Sequence, residues 1–213
     1  MKMTLKPLLC GICLAAGLAL PAGAVPVVYD ITVDHATGGL GTAPFGTVSL
    51  NQNGTSVDFT VHINTGYSFV LTGAGDFMDF KFNATGVALG DITITQNAPK
   101  TLIAQTGSFN GDGTGQFGFG ITGDGQKNGG AGAFGGVDLK FNVAGSTISD
   151  FTTANNLGFL FAVDLLSPNG NTGPAAVQGP PRRQVPDGGS TAALLGAGLL
   201  GVGAVRRKLS KKA

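Results

Sequence analysis

Only two imidazoles, His35 and His62, occur in the 213 residues, and all 12 acidic side chains are Asp. These groups bound the acid–base chemistry on offer. A serine nucleophile needs a histidine and a carboxylate that can lie far away in sequence, but no Gly-x-Ser-x-Gly turn presents one. His62 falls on the polar side of an alternating run and His35 beside a Gly-rich turn, so a surface and a loop position are expected. Glycoside hydrolysis asks for two cooperating carboxylates. Asp76 and Asp79, three apart on a strand, would face opposite ways. Asn110, Gly111, Asp112, Gly113 and Thr114, with Gly123, Asp124 and Gly125, supply oxygen ligands for calcium, but EF-hand spacing and Glu are both lacking. Asp and Gly are also the ordinary residues of turns. Cys10 and Cys13 have C-x-x-C spacing, yet they sit inside an apolar run where redox or metal work is not expected. No Gly-rich loop carries a phosphate-binding Lys. These residues predict no enzyme and no cofactor, with calcium as the alternative.

The elements that would hold such groups read as strands. Val57, Phe59, Val61 and Ile63 alternate with Ser56, Asp58, Thr60 and His62, a period of two. Asn53 and Gly54, between this run and Thr47-Val48-Ser49-Leu50, mark a hairpin. Val137, Leu139, Phe141 and Val143 form a second such face. Leu157, Phe159, Phe161, Val163 and Leu165 form a third, with Leu160 and Ala162 on its reverse, as in a strand buried on both sides. Shorter strands are expected at 27–33, 77–82, 91–95 and 116–121. With 37 Gly and no Glu, a helical body is disfavoured. Roughly eight to ten strands joined by Gly/Asn/Asp turns predict a mainly β chain, a single jelly-roll-like β-sandwich over 25–177. Its bulky core would come from the 14 Phe, since there is no Trp. The Gly-dense stretch 110–136 is its weakest part.

Charge and hydropathy divide the remainder. Lys2 and Lys6 precede an apolar run, 8–20, that is short for a ~30 Å hydrocarbon core. Pro21 ends the run, and Ala22, Gly23 and Ala24 form a small-x-small site, so signal peptidase is expected to cut between Ala24 and Val25. Residues 1–24 are then a signal helix, and both cysteines leave with it. Residues 25–181 hold 11 Asp, 4 Lys and no Arg, a net −7. Such a body repels phosphate backbones, which excludes nucleic acid as a partner. Residues 178–187 are a Pro-rich linker. The uncharged stretch 188–205 would span ~27 Å as a helix and is the expected short transmembrane segment. Arg206, Arg207 and Lys208, in the basic tail 206–213, would act as the cytoplasmic stop and leave the body outside.

At these residues the chain resembles a known class. The segment 185–208 is similar to PEP-CTERM sorting tails, which combine a Pro-containing motif, an apolar helix of Leu, Gly and Ala, and an Arg-rich end. Val185, Pro186, Asp187, Gly188 and Gly189 stand closest to the VPDSG-CTERM variant, with Gly188 where Ser is usual. Pro186 holds Val185 extended, and Ala192, Gly196, Gly201 and Gly203 permit close helix approach. The resemblance implies an exosortase, a membrane-embedded cysteine transpeptidase-like enzyme, cutting near 185–189. It also implies an exported bacterial protein, transiently anchored, then delivered to the cell surface or an exopolysaccharide-rich extracellular matrix. The stretch 158–173 is similar to uncharacterised ectodomains bearing such tails, which implies a sandwich and no activity. The alternative is a carbohydrate- or calcium-binding module, with Tyr29 and Tyr67 as the available stacking rings.

Overall fold

The computed structural model describes residues 25–35, 39–70, 77–96, 101–123, 133–182, 196 and 198–200. Among these residues the chain forms twelve strands: β1 Val27–Ile31, β2 Val33–Asp34, β3 Gly46–Asn53, β4 Ser56–Ile63, β5 Ser68–Phe69, β6 Phe80–Phe82, β7 Ile92–Gln96, β8 Leu102–Asn110, β9 Gln116–Gly123, β10 Leu139–Ala144, β11 Phe159–Leu166 and β12 Thr172–Gln178. Short 3₁₀ turns at Leu89–Asp91 and Ile148–Phe151 are the other regular elements of this body.

The strands make two antiparallel sheets, consistent with a β-sandwich. The first has the order β1-β3-β4-β10-β7; the second has β2-β12-β11-β6-β9-β8, with β5 beside β11. The pairs β3–β4, β8–β9 and β11–β12 each stay side by side within one sheet. That is not the order of an eight-stranded jelly roll built from two Greek keys.

Sequence alternation explains the first sheet directly. In β4, Val57, Phe59, Val61 and Ile63 point inward, and β3 pairs with it in register from Gly46 opposite Ile63 to Asn53 opposite Ser56. Gly54 turns the hairpin at φ 59°, a left-handed conformation that costs glycine little. In β10, Leu139, Phe141 and Val143 face the core, while Val137 lies just outside the strand and is half-buried. Phe59 joins the sheets: its ring stacks on Phe141 at 4.5 Å, meets Phe151 edge-on at 4.8 Å, and reaches Phe82 and Phe161 of the second sheet.

The second sheet departs from the simple pattern at three places. A register shift between Phe159 and Phe161 turns Phe159 to the outer side, while Leu160 joins Phe161, Val163 and Leu165 in the main core. Leu157, expected on that inner face, is exposed before the strand begins. β8 and β12 were not legible as strands. β8 is an edge strand with mostly half-exposed or exposed residues, and β12 carries Gly173 and Pro174, both poor strand formers. Pro174 still contributes its carbonyl, which accepts the His35 N–H at 3.1 Å. β9 runs through the stretch expected to be weakest.

β12 runs to Gln178, and the chain still bonds β1 at Arg182. The signal helix and nearly all of 188–205 fall outside the described residues; Gly196 and 198–200 are helical. Among the described residues no helix is long and apolar enough to cross a membrane.

Candidate functional site

Three places bear on function: the edge where the chain leaves the body, a buried polar cluster, and the tail.

The exit is docked rather than loose. The Arg182 N–H donates to the Val28 carbonyl at 2.7 Å, and its guanidinium pairs with Asp30, Nε lying 2.5 Å from Oδ2. The carboxylate holds the guanidinium pKa above its ordinary value. β1 is an edge strand of the first sheet, so Arg182 takes up a carbonyl that would otherwise face solvent. Val25, the residue expected to open the mature chain, is exposed just before β1. Both ends of the body therefore emerge at one edge. Gly179, Pro180 and Pro181 line an open groove of about 480 Å³ together with Val27, Tyr29 and Leu160.

The polar cluster lies on the outer side of the second sheet. Phe80 and Phe82 fill the core, which turns Lys81 outward. There Lys81 Nζ meets Asp164 Oδ1 at 2.9 Å, with both side chains buried. Phe117, Phe159, Ala162 and Ala176 form a second apolar cluster on this sheet. Burial raises the Asp112 carboxyl above its usual range; the charge of Asp164 adds to the rise and that of Lys81 opposes it. Sequence reading passed over Lys81 and Asp164. The signal was the unbroken apolar run around Ala162, which says that the reverse face of the strand is covered.

Other expected positions resolve as follows. His62 is on the surface, where it hydrogen-bonds Asp138 at 2.7 Å. His35 is half-buried, edge-on to Phe159 with ring centroids 5.0 Å apart. The turn 110–114 closes on itself: the Gly111 carbonyl accepts the Thr114 N–H at 2.9 Å and its hydroxyl at 2.5 Å. Tyr29 is buried edge-on against Phe161, and the Tyr67 hydroxyl donates to the Leu40 carbonyl. Asp76, Asp124, Ala22, Ala24, Val185, Pro186, Asp187, Gly188, Gly189, Arg206, Arg207 and Lys208 lie outside the described residues.

The tail is a sorting signal of the PEP-CTERM type. Residues 184–209 match the VPDSG-CTERM motif, and the match covers none of the sandwich. No curated protein and no solved structure matches the chain. The motif marks an exported protein, and signals of this kind are generally processed by an exosortase-type membrane enzyme.

Proposed function

We propose that this chain is a non-enzymatic component of a cell surface or extracellular matrix, delivered by cleavage of its tail near 185–189. Signal peptidase frees Val25, the 188–205 segment holds the chain in the membrane, and the exosortase releases or transfers the sandwich. The observation that carries this reading is the match at 184–209, which begins two residues after the docked Arg182. The cleavable segment starts at the body's edge, so the sandwich leaves whole.

A carbohydrate-binding role has less support. Sugar sites favour exposed aromatic rings, and Tyr29 and Tyr67 are already packed against Phe161 and Phe45. Calcium at 110–114 is likewise disfavoured, because the Gly111 carbonyl is occupied by Thr114.

The test is fractionation of cells that carry the sorting enzyme. Full-length protein should leave the membrane fraction over time. Replacing Val185, Pro186 and Asp187 with Ala should hold it there with its tail attached. Equal release of both forms would contradict the proposal.

A further inference from the structure

The second sheet buries a lysine and an aspartate that sorting does not use. Lys81 Nζ and Asp164 Oδ1 are 2.9 Å apart, and each side chain is 1 % exposed. They stand on neighbouring strands whose register is set by Phe80 opposite Val163, Lys81 opposite Ala162 and Phe82 opposite Phe161. β6 has β9 on its other side, so the amine is on an inner strand. Another acidic residue lies beside them. Asp79 is buried, and its backbone carbonyl accepts the Asp164 N–H at 3.1 Å. Asp112, in the turn between β8 and β9, feels the charges of both partners, and burial favours its protonated form.

We propose that Lys81 and Asp164 condense into an intramolecular isopeptide bond that cross-links β6 to β11 in the folded protein. A proton passes from the ammonium to the carboxylate, leaving a neutral amine beside a carboxylic acid. The Nζ lone pair attacks Cγ of Asp164. The C–O bond to the hydroxyl breaks, and that hydroxyl departs as water with a proton given up by Nζ. No oxidant or co-reactant is needed.

Two features of the site favour the step. Holding the reactants in contact replaces a bimolecular encounter, and well-oriented intramolecular pairs reach effective molarities on the order of 10⁵ M or more. Burial also makes the ionised pair costly to keep, because both charges have lost their water; the amide carries no charge. Residues 25–213 contain no Cys, so this exported body cannot be braced by disulfides.

The test is peptide mapping by mass spectrometry of the protein recovered after export, with cooperative melting as proof that it is folded. The expected result is a branched peptide joining Lys81 to Asp164, lighter by one water than the two linear peptides together. Lys81→Arg keeps a cation but should abolish the branched species. Asp164→Asn should still close, losing ammonia in place of water and giving the same cross-linked peptide. Folded wild-type protein that yields only the two linear peptides would overturn the proposal and leave an ordinary buried ion pair.

Discussion

The two sheets share one core but differ on their outer faces. The first is polar and wet outside: Asp58 receives hydrogen bonds from Asn53 and Asn142, and Asp138 takes His62 and Lys140. Its strands alternate buried and open residues in the pattern expected when one face meets solvent. The second is buried on both faces at its inner strands. All three residues of β6 are buried, and β11 is buried from Phe159 to Leu165. The same residue types therefore do different things. Lys140 pairs with Asp138 at 3.4 Å in reach of water, whereas Lys81 pairs with Asp164 at 2.9 Å out of it. A lysine–aspartate contact is a detail of the surface on one sheet and a constraint on the fold in the other.

Matched substitutions break or sharpen this contrast. The largest effect is expected at Lys81→Ala, which removes the contact between β6 and β11; losing one partner of a buried pair costs about 3–5 kcal/mol, before any cross-link is counted. Lys140→Ala on the first sheet should stay within about 0.5 kcal/mol, as exposed pairs do. Chemical denaturation of the two variants reads the difference directly, and equal losses would erase the distinction. Gly120→Ala comes next. A Cβ there would clash with the Met78 sulfur on the outer side of the second sheet. Met78 must repack, at a cost of about 1–3 kcal/mol. Gly54→Ala on the first sheet meets no neighbour and is penalised only by its backbone conformation at φ 59°.

The smallest effect is one of pH in the interior that both sheets share. Burial raises the Tyr29 phenol above its ordinary 10.0. The native state keeps this proton to higher pH than the unfolded chain does. Stability is therefore retained below pH 10 and falls as pH climbs through the native pKa. Tyr29→Phe should show a shallower alkaline decline in melting temperature. An identical decline would place the phenol in water.

Much of this contrast was legible in the residues. Val57 to Ile63 and Leu139 to Val143 specify the first sheet because a wet face imposes alternation. The second sheet was only half legible. A doubly buried strand shows no alternation to read, and the shift at Phe159 moves a side chain across the sheet without any local signal. Pro174 concealed β12 because the usual objection to proline in a strand does not weigh where its carbonyl is the group used. The docking of Arg182 onto Asp30 joins residues far apart in the chain, which periodicity does not register. The tail was the reverse case. Its Pro-Asp-Gly-Gly motif, apolar stretch and basic end are local in sequence, so their reading as a sorting signal needed no fold.

The most direct check on the whole account is the C-terminal residue of the protein recovered from its native surface or medium, determined by mass spectrometry. A chain ending within 185–189, with a sandwich intact from Val25, is the expected result. A released protein that still ends at Ala213 would contradict it.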